Sequence, residues 1–336
     1  MGRGMNMQNI IKSENSSKKC NDIIALTSIV DRLPFPAYKK GFFIRSSILV
    51  PLLGLALGPF CFFNAQAAAI SVSSDSTDPA DKHIYIGQYD LTTNLWGIRG
   101  AGSNWYADIF THSISHVDGA GYKWSGFAGN QTNVKAYVSL RYGASNKQNI
   151  ASVTGLPYLF ENNDKNVDVL WSFESSGEDG TGNIVGKYNH TLDVFFNATN
   201  STKVSEIRGE VMIITDSSQD AQMAGWGVKD IQPFIISGEI WDVWQATQTS
   251  HGHSWHVTQF RKRLNSRYFN HNLKDFFFAA AARRPDIFMR HYYVMMVEAG
   301  TEIKNGSGRV YYTKYRVSIT RNRRHVPASN RPDLSH

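Results

Sequence analysis

Gly209-Glu210-Val211-Met212-Ile213-Ile214-Thr215-Asp216 is a short apolar run carrying one carboxylate where burial makes a charge expensive. An ionised Glu in such a place is costly unless something pairs with it or uses it. Strand alternation puts Glu210, Met212 and Ile214 on one face and Val211 and Ile213 on the other, so one face is core and the other presents an acid. About ninety residues later, Tyr293-Val294-Met295-Met296-Val297-Glu298-Ala299-Gly300-Thr301-Glu302 repeats the arrangement. Glu298, Gly300 and Glu302 share a face by the same period of two. Two facing strands with carboxylates define a candidate site.

Outward from these runs the chain reads as strands. Runs rich in Val, Ile, Tyr, Phe, Trp and Thr fall at 83–88, 133–140, 167–175, 190–197, 210–215, 234–240, 254–260, 291–299 and 308–320, separated by Gly, Asn, Asp and Ser clusters. That spacing predicts an all-β sandwich or barrel. In the last run, alternation groups Tyr311, Tyr315, Val317 and Ile319 against Lys314, Arg316 and Ser318. Only the segment from Asn272 to Arg283 reads as a helix, with Pro285 to stop it. No internal repeat is visible, and a single domain spans residues 70–320.

The amino-terminal part has another logic. Lys39, Lys40 and Arg45 precede an apolar run from Ile48 to Phe63, followed by Asn64-Ala65-Gln66-Ala67-Ala68-Ala69. A basic region, a hydrophobic region and an Ala-x-Ala exit are the layout of a secretory signal. The run is shorter than the roughly 20 residues of a spanning helix and contains Gly54, Gly58 and Pro59, so no lasting membrane anchor is expected. Residues 1–69 therefore read as a leader, cut near Ala67 or Ala69, and the mature protein as secreted or periplasmic and monomeric.

The formal charge of +7 is concentrated at the two ends. Residues 70–320 hold 23 basic and 24 acidic side chains, and 321–336 form a basic tail. A near-neutral body argues against a nucleic-acid partner. Both cysteines, Cys20 and Cys61, lie in the leader, so core burial must hold the body together without disulfides.

Other candidates are weaker. In 190–197, Leu192, Val194 and Phe196 face inward and Asp193 faces the opposite way, which alone fits a solvated face. His251, His253 and His256 form a loop cluster without a carboxylate to orient them, so neither metal nor other cofactor is expected. No Gly-x-Ser-x-Gly, phosphate-binding loop or His-Glu-x-x-His occurs.

A set of motifs occurs in register. Asn94-Leu95-Trp96-Gly97, Trp124-Ser125-Gly126 with Val134-Lys135-Ala136-Tyr137, Leu192-Asp193-Val194-Phe195, Glu210-Val211-Met212-Ile213, Gly238-Glu239-Ile240-Trp241-Asp242-Val243-Trp244, Leu273-Lys274-Asp275-Phe276-Phe277 and Ala299-Gly300-Thr301-Glu302 together resemble glycoside hydrolase family 12. The resemblance runs from about Tyr89 to Ile319. It implies a β-jelly-roll of two curved antiparallel sheets with a concave glucan-binding cleft, and hydrolysis of β-1,4-glucans or xyloglucan with retention of configuration. It makes Glu210 the nucleophile, Glu302 the acid/base and Asp193 the acid beside the nucleophile, with Met212 under the cleft. Asn94 and Trp96 match sugar contacts in the negative subsites, and Trp124 and Trp241 join the expected substrate-binding residues. Trp171 is expected in the core. A non-catalytic glucan-binding jelly-roll is the alternative, although a binder needs none of those carboxylates.

The chain departs from the family pattern in several places. Gly209 and Ile214 replace the Tyr before and the Trp after the nucleophile, and Ile303-Lys304-Asn305-Gly306 follows the acid/base. The segment from Ser217 to Lys229 does not match the family's Gly-rich loop. Glu298 stands where the family has Gln, and an extra carboxylate in the cleft should raise its neighbours' pKa values.

Overall fold

The computed structural model describes residues 69–128, 133–143, 154–160, 165–218, 223, 225–250, 252–285 and 291–321. These fall in the second of the chain's two units, Asn64–His336. The expected leader and basic tail lie outside the described residues, apart from Ala69 and Arg321 at their boundaries.

Seventeen strands, one α-helix and one short 3-10 turn (Val204–Glu206) are described. They are β1 (Ile70–Asp75), β2 (His83–Ile86), β3 (Tyr89–Thr92), β4 (Tyr106–Thr111), β5 (Gly121–Phe127), β6 (Ala136–Gly143), β7 (Tyr158–Leu159), β8 (Lys165–Ser176) and β9 (Tyr188–Asn197). There follow β10 (Ile207–Ser217), β11 (Val228–Lys229), β12 (Phe234–Ile236), β13 (Glu239–Ser250), β14 (His253–Lys262), β15 (Tyr268–Asn272), α1 (Leu273–Arg283), β16 (Tyr293–Ile303) and β17 (Gly306–Arg321). One sheet runs β1-β4-β5-β17-β8-β15, and the other β11-β13-β14-β10-β9-β16-β6-β3-β2, with β12 on β13 and β7 on β16. The pair β10–β14 is parallel. The two-layer, all-β architecture is the expected one.

The core lies between the sheets. From the first come Ala107, Tyr122, Trp124, Val169, Trp171, Val310 and Tyr312, and from the second Leu91, Val138, Leu140, Leu192, Val194, Val211, Ile213 and Ala299. Helix α1 adds Leu273, Phe276, Phe277 and Ala280 to the same cluster. It starts where Asn272 Oδ1 accepts from the Lys274 amide at 3.1 Å, and its last turn closes through the Arg284 amide to Ala280 O at 2.9 Å. Pro285 follows and prevents continuation.

Three local expectations are corrected. The alternation in β17 breaks at Thr313, because Tyr312 pairs with Phe173 while Lys314 pairs with Ser172, leaving one residue extra. This bulge turns Val310 and Tyr312 inward with Tyr315 and Val317, and moves Tyr311 out of their row. The run 234–240 is a hairpin, not one strand: Ser237 and Gly238 take φ of 51° and 81°, the left-handed pair a two-residue turn requires. Trp124 and Trp241 are both fully buried in the inter-sheet core. Trp241 lies edge-on to Phe276 at 5.0 Å, so no substrate reaches either ring. Trp171 is buried beside Phe173, as expected.

The face of the second sheet turned away from this core is also buried. Tyr137, Ser139 and Arg141 of β6, Asn189, Thr191 and Asp193 of β9, Glu210 and Met212 of β10, and Glu298 of β16 are all at most 8% exposed. These residues are largely polar and titratable, the composition of a cleft floor and not of a second core.

Gly300 shows how tightly that floor is built. A Cβ there would stand 2.2 Å from Val138 O and 2.7 Å from Ser139 Cα. Gly300→Ala must therefore part β16 from β6, and should lower stability by about 2 kcal/mol or more in urea unfolding and abolish activity. Unchanged stability would contradict the close approach.

Candidate active site

The register of the second sheet places the candidate carboxylates. Met212 of β10 stands opposite Asp193 of β9, Asp193 opposite Glu298 of β16, Glu298 opposite Arg141 of β6, and Arg141 opposite Asp90 of β3. One row of cross-strand neighbours thus crosses the cleft floor. Glu210 lies on one side of that row, opposite Phe195, and Glu302 on the other, opposite Asn189. The expected trio of Asp193, Glu210 and Glu302 shares this face, together with Met212.

Each carboxyl has its own donor. Glu210 Oε2 accepts from the indole Nε1 of Trp255 at 2.6 Å. Asp193 Oδ1 accepts from Thr191 Oγ1 at 2.8 Å. Glu302 Oε2 accepts from Asn189 Nδ2 at 2.7 Å, and the same amide group reaches Met223 O at 3.3 Å. Met212 packs with Ala246, Val257 and Trp255 and forms the apolar floor beside Glu210.

Burial dominates the electrostatics. It raises the Asp193 carboxyl well above the ordinary range, and the charges of Glu210, Glu302 and Glu298 raise it further. Burial also pushes Glu210 up to about 8; the Trp255 N–H pulls it back, while Glu302 and Glu298 add to the rise. Glu302 is raised by burial and held down by Asn189 and then by Lys304. Glu210 and Glu302 are three same-face positions apart along β9 (Phe195, Asp193, Thr191, Asn189), and still their charges interact.

Glu298 shares the face with Glu302, as expected, but does not stand unpaired. Arg141 Nε donates to its Oε1, and Ser139 Oγ donates to its Oε2 at 3.0 Å. Arg141 Nη1 also lies 3.6 Å from Asp90 Oδ2, and His83 Nδ1 lies 3.0 Å from Asp90 Oδ1. Behind burial, which is the largest cause, Glu298 adds to the rise of both Asp193 and Glu210.

At the cleft edge, Asn94 takes a left-handed φ of 38°, and its carbonyl accepts from the Tyr137 amide at 2.9 Å. The Gly97 amide donates to Lys135 O at 3.2 Å, and a Cβ at Gly97 would lie 1.9 Å from Val134 O. The turn is thus sewn to the start of β6 and holds Trp96 with 48% of its surface exposed, an open ring beside the site. Trp244 faces the cleft side of β13, opposite Gln259, with Lys229 Nζ 4.9 Å from its ring. Gln259 in turn holds the Trp226 backbone by two hydrogen bonds of 3.0 and 2.8 Å. Among the described residues no cluster of His, Cys, Asp and Glu could hold a metal.

Sequence reasoning passed over Trp255, Asn189 and Arg141. Alternation along 254–260 puts Trp255, Val257 and Gln259 on one face, a visible signal, but the parallel pairing that sets Val257 against Glu210 is not readable from the strand itself. Asn189 and Arg141 carry no local signature.

The profile of Glycosyl hydrolase family 12 matches residues 87–320, and the chain belongs to that family. It is a glycoside hydrolase of the endoglucanase/xyloglucanase type. Among curated proteins it is similar to Endoglucanase S of Pectobacterium parmentieri, 26% identical over 276 residues that cover 78% of this chain and 94% of that protein. Its fold resembles the family 12 xyloglucanase from Bacillus licheniformis, with a TM-score of 0.61 at 23% identity over 74% of this chain and 99% of that one. It also resembles Endoglucanase 3 from Trichoderma harzianum, with a TM-score of 0.56 at 17% identity over 76% and 100% of the two chains. The sandwich is the family's jelly-roll.

Two outcomes follow from the electrostatics. A raised carboxyl favours folding while it is protonated, so its contribution is full below the unfolded value near 4.5 and is lost as pH rises towards the folded value of about 8. Glu210→Gln, neutral throughout, should therefore exceed wild type in Tm by a margin that widens from pH 4 to pH 8; a constant margin would contradict the burial effect. Glu298→Gln removes a negative charge beside Asp193 and Glu210. It should move the acid limb of kcat/KM to lower pH while kcat stays within about tenfold, and an unmoved limb would sink the coupling.

Proposed function

We propose that this protein is a secreted endo-β-1,4-glucanase that hydrolyses cellulose-like glucans or xyloglucan with retention of configuration. The reading rests foremost on Glu210 and Glu302 flanking Asp193 on the face of the second sheet turned away from the inter-sheet core. Glu210, ionised, attacks the anomeric carbon as the protonated Glu302 gives its proton to the departing oxygen, and a glycosyl ester forms on Glu210. Glu302, now a carboxylate, takes a proton from water, which attacks the same carbon and frees Glu210. Two inversions leave the β configuration. Asp193 and Glu210 titrate as a pair. The indole N–H of Trp255 can only donate, so it favours the state with the charge on Glu210 and the proton on Asp193. The exposed ring of Trp96 suits stacking on the apolar face of a pyranose in the negative subsites, with Asn94 beside it. Export is supported by the basic, apolar and Ala-x-Ala order between Lys39 and Ala69. The substrate class is supported by the names of the similar proteins, an endoglucanase and a xyloglucanase.

Glu302→Ala tests the assignment. Its turnover of carboxymethylcellulose, mixed-linkage β-glucan and xyloglucan, read as reducing-sugar release, should fall at least 100-fold, whereas an aryl cellobioside with a good leaving group should lose far less (about tenfold). Azide should restore part of the aryl rate and yield a β-glycosyl azide by NMR. An α product, or rescue of Glu298→Ala instead, would overturn the roles.

A further inference from the structure

We propose that Trp255 is a positioning residue that presents Oε1 of Glu210 to the anomeric carbon. The inference rests on the reading of Glu210 as nucleophile. Strand β14 runs parallel to β10 with Val257 opposite Glu210, so Trp255 is the same-face neighbour two residues before that position. From there the indole Nε1 donates to Oε2 of Glu210 at 2.6 Å. An indole N–H donates and never accepts, so it engages one oxygen of the carboxylate and leaves the other for bond formation.

The ring is held on several sides. It packs against the apolar cluster of Ile207, Met295 and Met296. It also packs against the cluster of Met212, Ala246 and Val257. One face stacks on His253, with centroids 5.9 Å apart and planes 25° from parallel. His253 is itself tied by Nε2 to Ile207 O at 2.5 Å. A donor braced in this way keeps its direction during the reaction and loses little rotamer freedom when the bond tightens. The titratable groups that face Glu210 are Asp193 from β9 and Glu298 and Glu302 from β16, all carboxyls. Trp255 is the N–H donor among its neighbours, with His253 behind the indole.

Ground-state binding and positioning make different demands on this ring. A sugar platform needs only its π-face, which phenylalanine keeps; positioning needs the N–H. Trp255→Phe should therefore lower kcat on glucan about 10- to 100-fold with KM within about threefold, the cost expected for one hydrogen bond to a charged group. The acid limb of its kcat/KM profile should move to higher pH, since the lost donor had favoured the ionised form. Wild-type kcat and an unmoved limb would overturn the proposal, as would a change confined to KM. If Trp255→Phe does not fold, indole ¹H–¹⁵N spectra of the wild type decide. One Nε1–H resonance should shift with the titration of Glu210 and cease to do so in Glu210→Gln; no such resonance would overturn the proposal. Failure of the nucleophile reading has another signature, full turnover by Glu210→Gln whatever Trp255→Phe does.

Discussion

The constraint on which the site depends is the burial of several carboxyls on one sheet face that must stay open to a polymer. Val211 and Ile213 fasten β10 into the inter-sheet core, which points Glu210 and Met212 away from it. The same division holds on β9, where Leu192 and Val194 are core and Asp193 is not. Most side chains on that second face are nonetheless buried, Asp193 at 3% and Glu210 at 6% exposure. Desolvation raises Asp193, Glu210 and Glu302 alike, and the differences between them arise from individual partners: the Trp255 indole, the Thr191 hydroxyl, and Asn189 with Lys304. Acid/base chemistry near neutral pH follows from such separations within a shared environment.

The period of two made much of this legible before any coordinates. Glu210 with Met212, and Glu298 with Glu302, were visible because a strand anchored by alternate apolar residues has no other way to face. Asp193 was ambiguous for a definite reason: an acid opposite a core face looks the same whether that face meets solvent or a cleft. Trp124 and Trp241 were misjudged because a motif conveys residue identity and not facing. Trp241 is core while Trp244, three residues on, faces the cleft. The bulge at Thr313 depends on a mismatch with β8, and no reading of β17 alone contains it.

The departures from the family pattern fall into a connected arrangement. Glu298 stands where the family has Gln, and it comes with Arg141 across the strand pair and Asp90 beyond. The added carboxyl is thus paired with Arg141 and hydrogen-bonded by Ser139 within the floor, opposite Asp193. Ile214, buried at 1% exposure, offers no aromatic surface where the family has Trp. The indole that touches Glu210 comes instead from β14.

That Glu210 forms the bond to the sugar is open to direct trial. An activated 2-deoxy-2-fluoro-β-cellobioside reacts through the same first step, and its fluorine slows release of the ester, so the intermediate accumulates and can be located by peptide mass mapping. A single fluorocellobiosyl group on Glu210 is the expected result. The label on Asp193, Glu298 or Glu302, or steady turnover with no trapped ester, would contradict it.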